Sequence, residues 1–360
     1  MSNETLFRLM KPDEAKVLQS LGTKVFLRSL EAPFITKPET AYVVVVNDTI
    51  AGGFIYNISS STGKKLAVVD YFFIDPKLAG KGIGSKLCQA GMAHLWDEGC
   101  DFIAAFVRDD NIASWSSFEK AGLRRISVLE ATKHVGISGI FRCLFYHLFS
   151  FFIGCDFYLA SKDGKPDPIR KESGLNQLFR SGIYNMLLIV VITLNIVRFF
   201  VDRDFIPSLD NIATAVIAFL VVFSAVTISS YLPTLFSREK YKYRMTDGGF
   251  IMSILAALFT MYIPISGNWF PQNYNKSGKN VTMLLTALLP WLLLLILGLA
   301  LHGETNDILG VIFNISRILL FFRCIPFLSA NLGSSRVYTF SKILWMIMAV
   351  ITAGLLIFIQ

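Results

Sequence analysis

The residues best suited to chemistry form one glycine-rich turn between a predicted strand and a predicted helix, Asp75-Pro76-Lys77-Leu78-Ala79-Gly80-Lys81-Gly82-Ile83-Gly84-Ser85-Lys86-Leu87. Glycines let backbone N–H groups approach an anion because no Cβ stands in the way, and a helix N-terminus adds partial positive charge. Such a turn can bind a pyrophosphate, although G-K-G-I-G also occurs as a purely structural turn. The spacing excludes a Walker A motif, and Leu87 stands where G-x-G-x-x-G needs its third glycine.

The elements that must position this turn alternate between strands and helices over the first 135 residues. Hydrophobic periodicity predicts a helix within Lys11–Leu30, a hairpin of Ala41–Val46 and Thr49–Ile58, a strand at Leu66–Ile74, a helix at 84–98, a strand at Phe102–Val107 and a helix at Ile112–Ala121. This order is typical of an α/β domain with a mixed central sheet and flanking helices.

The same region resembles the GNAT (Gcn5-related N-acetyltransferase) superfamily. The glycine-rich turn is similar to motif A of that family, [RQ]-x-x-G-x-[GA]. A later segment is similar to motif B and lies at the usual separation, Asp109-Asp110-Asn111-Ile112-Ala113-Ser114-Trp115-Ser116-Ser117-Phe118-Glu119-Lys120-Ala121-Gly122-Leu123. The resemblance covers about residues 5 to 130 and implies the α/β GNAT fold.

The resemblance also implies acetyl-CoA as co-substrate, without a metal. Its pyrophosphate would be held by backbone amides of the turn, those of Gly80, Lys81, Gly82, Ile83, Gly84 and Ser85. The pantetheine arm would pair like an extra strand with the backbone of Phe72, Phe73 and Ile74, and Asn111 would contact the arm. The implied chemistry is direct attack of a neutral amine on the thioester, which needs a base, an oxyanion donor and an acid for the thiolate.

Two residues depart from the family pattern. Ala79 replaces the Arg or Gln that opens motif A, and Phe118 stands where the family often has a Tyr that protonates the CoA thiolate. For the general base we favour Asp70, and Asp109 or Asp110 are the next candidates. Asp70 could equally be a structural carboxylate on its strand. His94 is interpreted as a surface or packing residue.

Composition adds a membrane component. Of 360 residues, 53% are hydrophobic and 17% charged, whereas soluble domains have about 45–50% apolar and about 25% charged residues. The net charge of +8 is explained by basic cytoplasmic loops; no basic stretch is interleaved with base-stacking aromatics, so a nucleic-acid partner is not expected. The five Cys show no C-x-x-C spacing, which favours reduced thiols on a cytosolic face.

The composition predicts three regions: 1–135, the GNAT domain; 136–182, an interfacial or re-entrant helix with a basic linker; and 183–360, a transmembrane domain of about six helices. The six candidate spans are Ile183–Val201, Ile212–Leu232, Gly248–Ser266, Val281–Leu301, Ile308–Leu328 and Phe340–Ile359. The acidic loop Asp202–Asn211 and the basic loop Arg238–Arg244 predict a multi-pass protein of the cell or inner membrane with a cytoplasmic N-terminal domain.

The membrane region is weakly similar to site-2 intramembrane metalloproteases, without their zinc ligands. Ser230, Tyr231 and Thr234 stand where the H-E-x-x-H residues would be, and Asn331 or a neighbour stands for the aspartate. This similarity implies a pseudoprotease scaffold that binds membrane segments or lipids; a generic helical bundle is the alternative. Arg317 and Arg323 are polar-site candidates, and for Arg323 we expect snorkelling at the helix end.

The sequence therefore favours a membrane-integrated N-acetyltransferase. It would transfer an acetyl group from acetyl-CoA to an amine of a membrane-associated protein, lipid or small molecule on the cytosolic face of the bilayer. The alternative is a non-catalytic acyl-CoA sensor that controls a pseudoprotease-like partner-binding domain. A third hypothesis, a transporter with a fused acetylating domain, lacks support from internal repeats or matched interrupted helices.

Overall fold

A computed structural model describes residues 5–26, 37–61, 63–107, 111–146, 155–163, 173–195, 198, 208–245, 250–265, 267–272, 281–304, 306–326 and 332–358. The chain divides into two compact units, one of residues 1–151 and 155–171 and the other of residues 152–154 and 172–360.

The first unit is a seven-stranded sheet with helices on both faces. Its elements in chain order are β1 (Thr5–Leu9), α1 (Ala15–Phe26), β2 (Ala41–Val46), β3 (Thr49–Ser61), β4 (Lys64–Ile74), α2 (Ile83–Asp97), β5 (Phe102–Val107), α3 (Ile112–Lys120), β6 (Arg124–Arg125), α4 (Val128–Tyr146) and β7 (Asp156–Ser161). The spatial order is β1-β2-β3-β4-β5-β7-β6, and every neighbouring pair is antiparallel except β4 and β5. The predicted mixed-sheet α/β fold is therefore confirmed.

Successive side chains of a strand point to opposite faces of the sheet, so the apolar side chains form a core on each face. On one face, Val44 and Phe54 pack with residues of α2 such as Leu87. On the other, Val43 and Ile55 pack around Leu18 of α1. The β2–β3 hairpin turns at Asn47 and Asp48, both with positive φ (47° and 58°), as a two-residue hairpin turn favours.

The predicted boundary at residue 135 differs from the observed one. The apolar run Ile137–Ala160 is not one interfacial helix: its first part is the segment of α4 that follows a break at the non-helical Gly136, and Asp156–Ser161 form β7, paired with β5. Asp156 is fully buried and accepts a hydrogen bond from Arg125 at 2.8 Å. Among the described residues of the run, Ile140, Cys143, Phe157 and Leu159 pack in the core of the first unit, whereas Ile137 and Phe141 are exposed.

The strands β4 and β5 pair along only part of their length. Their parallel ladder joins Leu66–Val69 to Phe102–Ala105, and Asp70–Ile74 continue beyond it. On the β3 side, Tyr56 pairs with Val69 and Ile55 with Tyr71, so Asp70 is the extra residue of a β-bulge. Bulges bend a strand and redirect its side chains. The second half of β4 thus presents a backbone edge that β5 does not cover.

The second unit is helical with one small sheet. Its elements are α5 (Gly174–Leu194), α6 (Leu209–Leu235), β8 (Tyr241–Met245), α7 (Phe250–Leu258), β9 (Gly267–Pro271), α8 (Val281–Ala300), α9 (Asp307–Phe322), α10 (Ser334–Phe340) and α11 (Lys342–Phe358), and β8 pairs antiparallel with β9. Among the described residues, α5, α6 and α8 are long and apolar enough to cross a membrane, and α11 is a shorter apolar helix.

Three of the six predicted spans are therefore shorter than expected. Among the described residues of the run Gly248–Ser266, nine form α7, which ends before Thr260 at a positive φ of 62°. The run at 308–328 ends as helix α9 at Phe322, and the last run is split into α10 and α11 at Ser341, where the backbone is extended. Apolar composition did not reveal these breaks because apolar residues follow them in every case, some buried, such as Tyr262 and Ile265, and some exposed, such as Ile343.

The first segment compared with site-2 proteases lies at the end of α6. Ser230 Oγ lies 3.1 Å from the indole N–H of Trp269, which donates to it, and the Thr234 hydroxyl donates to Tyr231 O at 2.7 Å. Asn331 is outside the described residues. The pseudoprotease similarity remains a prediction.

Candidate active site

A cleft of about 500 Å³ opens beside the second half of β4. Its wall includes Val25 and Phe26 of α1, the three consecutive residues Phe72, Phe73 and Ile74 of β4, Gly80, Gly82, Gly84 and Ser85 of the glycine-rich turn, and Asn111, Ser114 and Ser117 around the start of α3. The structure thus brings together most of the residues that the sequence assigned to cofactor binding. Lys81 and Ile83 belong to the same turn but lie outside this wall.

The glycine-rich turn has the geometry of an anion site. Gly80 and Gly82 adopt positive φ (79° and 74°), and no described atom comes within 4 Å of a Cβ built on either. The first helical bond of α2 runs from Lys86 N–H to Gly82 O at 3.2 Å. The first N–H groups of a helix have no partner within the helix and can receive an anion.

The β4 arm of the cleft is held by aromatic packing on both faces. The Phe72 ring lies 5.4 Å from that of Phe118, and the Phe73 ring lies 5.9 Å from that of Phe26. Phe118 is 3% exposed and belongs to the core between α2, α3 and the sheet. At the position where the resemblance implies a Tyr, this chain therefore has a buried packing residue.

Asn111 begins α3 and is exposed. Its side-chain Oδ1 accepts the Ser114 N–H at 3.2 Å, as an N-cap residue does. The capping bond orients the residue at the cleft, and its amide NH₂ group is a hydrogen-bond donor. The two alternative bases, Asp109 and Asp110, lie outside the described residues.

A second cavity, of about 670 Å³, contains the candidate base. It is lined by Asp70 of β4, Tyr56 of β3, and His94 and Glu98 around the end of α2, together with residues 37–40. The Tyr56 hydroxyl and Nε2 of His94 are 2.9 Å apart, and the His94 ring stacks on Tyr42 at 5.3 Å. His94, interpreted from sequence as a surface or packing residue, packs against Tyr42 and also lies on the cavity wall.

Burial changes the acid–base properties of this cavity. It raises the pKa of the Asp70 carboxyl to about 7. Burial, reinforced by the negative charge of Glu98, also raises the pKa of the Tyr56 phenol to about 12. Desolvation disfavours the charged form of both groups. A carboxyl that titrates near neutral pH is suited to general base catalysis.

Sequence reasoning did not find Tyr56 and His94 as site residues. They are 38 positions apart and meet only when α2 folds onto β3. The only sequence feature that could have indicated His94 is its position on the helix that follows the glycine-rich turn, and this feature is weak.

The fold and the turn define this unit as an acetyltransferase-type α/β domain. Residues 4–123 match the family model "Acetyltransferase (GNAT) family". The N-terminal part of the chain therefore carries a GNAT domain, which accounts for one third of the 360 residues.

The chain also resembles individual members of that class. Mycothiol acetyltransferase of Rhodococcus erythropolis (strain PR4 / NBRC 100887) is 32% identical over 83 residues, which are 22% of this chain and 28% of that protein. The chain thus matches less than a third of that relative's length.

Solved structures resemble part of the chain. A GNAT family acetyltransferase from Brucella melitensis in complex with acetyl-CoA is 16% identical, with a TM-score of 0.27 over 31% of this chain and 82% of that one. Tetrahymena GCN5 is 13% identical, with a TM-score of 0.29 over 34% of this chain and 81% of that one.

Proposed function

We propose that this protein is a membrane-integrated N-acetyltransferase that moves an acetyl group from acetyl-CoA to an amine. The observation that carries the proposal is the shared strand β4. Its C-terminal half lines the cleft at the glycine-rich turn, and Asp70, two residues before Phe72, lines the second cavity. Two residues of a strand span about 7 Å, so a donor in the cleft and a base in the cavity are within reach of one substrate.

The donor would lie along the cleft. Backbone amides from Gly80 to Ser85 would bind the pyrophosphate, and the backbone edge of Phe72–Ile74 beyond the β4–β5 ladder would pair with the pantetheine amides. The donor NH₂ group of Asn111 would add a contact to the arm. The cleft volume of about 500 Å³ is within the range of small-molecule sites, about 300–1,000 Å³.

The acceptor amine would enter the second cavity and lose its ammonium proton to Asp70. The nitrogen lone pair then forms the N–C bond with the acetyl carbon, the C–S bond breaks, and its electron pair leaves on the CoA sulfur. The nitrogen loses a second proton as the amide forms, and water carries that proton to the sulfur, because Phe118 cannot donate one. Since burial raises the pKa of Asp70 to about 7, the carboxylate is basic enough to accept the proton and still substantially ionised at neutral pH.

The second unit would hold this domain at a bilayer as a multi-pass membrane protein. Its support is the three long apolar helices α5, α6 and α8. The basic residues between α6 and β8, such as Arg238 and Lys240, favour a cytosolic position for that loop. With the N-terminal domain on the same side, the acceptor would be an amine of a membrane-associated protein, lipid or small molecule.

One observation favours a second function, an acyl-CoA sensor that controls a partner-binding membrane domain. Phe118 is buried in the core, so the position implied for the thiolate acid carries no acidic group. A sensor needs the cleft but not Asp70, and the two functions are separated by turnover.

The test is CoA thiol release by the detergent-purified full-length protein with acetyl-CoA, across amines that include a membrane extract. A Gly82→Trp, Gly84→Trp variant, which fills the turn, serves as the blocked control. We expect extract-dependent release that the control lacks. Acetyl-CoA binding without turnover on any amine would reject the enzyme in favour of the sensor.

A further inference from the structure

The second unit contains a small cavity that no part of the acetyl-transfer scheme uses. It has a volume of about 50 Å³ and is lined by residues of α5, α6, β8, β9, α8 and α9 and by neighbouring segments. The wall is mixed: apolar side chains such as Phe219 and Leu319 stand beside five residues with hydroxyl groups, Ser181, Thr227, Ser230, Tyr243 and Thr286.

Arg323 places a positive charge in the cavity wall. Its side chain is 4% exposed, contrary to the snorkelling expected from sequence. Nη1 donates to Leu332 O at 2.7 Å, whereas Nε is buried and has no hydrogen-bond partner among the described residues. The backbone thus fixes the guanidinium through Nη1, and the N–H group of Nε is left without an acceptor among the described residues.

No described carboxylate balances this charge. The acidic residues in the described part of the second unit are Asp210, Glu239, Glu304 and Asp307, and all four are exposed. A second buried cation, Arg336, lies beside the same wall: it is 6% exposed and donates to the Thr286 hydroxyl at 2.7 Å. A buried charge without a counter-charge is strongly unfavourable, so an anion at Arg323 would relieve the cost.

Hydrogen bonds fix part of the cavity wall. Asn185 uses its whole amide group: it donates to Ser181 O and Ile265 O, and it accepts from the Tyr262 hydroxyl and from Ile265 N–H, all within 3.1 Å. Tyr243 donates to Ser181 Oγ at 3.3 Å. These bonds hold the cavity open in a fixed shape without neutralising Arg323.

We propose that this cavity binds a small monoanion of carboxylate size, held by the unused guanidinium edge of Arg323 and the surrounding hydroxyls. The planar guanidinium fork matches a carboxylate better than a point charge does. A water occupies about 10–15 Å³ of volume measured in this way, so about 50 Å³ accommodates a few heavy atoms. Acetate or chloride fits this space, and CoA does not.

The test is acetate binding by the full-length protein in detergent, with ionic strength held constant by gluconate. Equilibrium dialysis with radiolabelled acetate gives the affinity, and thermal unfolding gives the accompanying stabilisation. Saturating CoA is present throughout, so that the glycine-rich turn is occupied. Arg323→Gln removes the charge, and Arg317→Gln, on the same helix and partly exposed beside Phe313, is the matched control.

We expect one saturable acetate site in the wild type and in Arg317→Gln, at least tenfold weaker in Arg323→Gln. If Arg323→Gln does not fold, Arg323→Lys keeps the charge without the fork and should weaken binding without abolishing it. Equal affinity in the wild type and the Arg323 variant would overturn the proposal. The proposal would also be overturned if neither acetate nor chloride bound saturably to the wild type. The same holds if thermal unfolding showed Arg323-dependent stabilisation only by dodecanoate, a long-chain carboxylate, because the ligand would then be a fatty acid and not a small anion.

Discussion

Nε2 of His94 on α2 lies 2.9 Å from the hydroxyl of Tyr56 on β3, and both side chains line the cavity that contains Asp70. The contact fixes the distance between helix and strand at the point where the acceptor amine is proposed to bind. It also fixes the His94 ring against Tyr42. The first prediction tests this pair.

Tyr56→Phe removes the hydroxyl partner of His94 and keeps the ring in the core. We expect a several-fold rise in KM for the amine with a smaller change in kcat, because the pair shapes the cavity and does not touch the thioester. KM for acetyl-CoA should stay unchanged. Steady-state kinetics with each substrate varied separate these effects, and an equal loss for both substrates would mean a general structural role.

Asp70→Asn should abolish most turnover while acetyl-CoA still binds. With the pKa of Asp70 raised to about 7, kcat/KM of the wild type should rise with pH and level off above an apparent pKa near that value. General base catalysis contributes about 10²–10⁴-fold, which sets the expected loss. Asp97→Asn, an exposed neutral substitution on α2, is the control. A flat pH profile in the wild type would remove Asp70 from the mechanism.

The same residue predicts a pH dependence of stability. Because burial raises the folded-state pKa of Asp70 from 3.8 to about 7, its contribution is fully present below pH 3.8 and is lost as the pH rises through 7. The stability of Asp70→Asn relative to the wild type should therefore increase between pH 4 and pH 8. Thermal unfolding of both proteins in detergent across this range measures the difference. A constant difference would mean that the carboxyl titrates at its ordinary pKa.

Gly82→Ala should weaken acetyl-CoA binding at least tenfold. A Cβ there strains a backbone with φ of 74° and projects into the space proposed for the pyrophosphate. Gly63→Ala is the matched control, since Gly63 also has a positive φ (76°) and open space around its Cβ position but lies in the β3–β4 turn. Calorimetry of both variants should show similar loss of stability and a loss of binding in Gly82→Ala alone.

Phe118→Tyr tests whether the missing acid limits turnover. Phe118 is 3% exposed, and an added hydroxyl without a partner costs about 1–3 kcal/mol in such a core. We expect a lower melting temperature and no gain in kcat, because water protonates the thiolate. A clear rise in kcat would instead mean that a phenol at this position reaches the sulfur.

Much of the first unit could be predicted from sequence because local pattern and tertiary packing agree there. β2 and β5 match their predicted ranges, and β3 starts as predicted and runs three residues further, because these strands are rich in apolar residues and the Asn47-Asp48 turn marks the hairpin. β7 was not predicted, because a buried strand and part of a membrane helix have the same apolar composition. In the second unit, the break between α10 and α11 has no strong sequence signal.

The candidate site was predictable in part for the same reason. The glycine-rich turn and the following helix are adjacent in sequence, so their spacing alone indicates the anion site. Asp70 was chosen by type and strand position. Its placement in a β-bulge depends on the register between β3 and β4. Its position in the same cavity as Tyr56 and His94 depends on how α2 packs against the sheet.

The most direct test of the central claim follows the acetyl group itself. Full-length protein in native membranes is given acetyl-CoA labelled in the acetyl carbons, and the label is measured in amide-linked products of the protein, lipid and small-molecule fractions. Label should appear in one fraction with the wild type and Asp97→Asn, and fall by about 10²-fold or more with Asp70→Asn. Label that remains in acetyl-CoA and free acetate, with no acetylated amine in any fraction, would contradict the account.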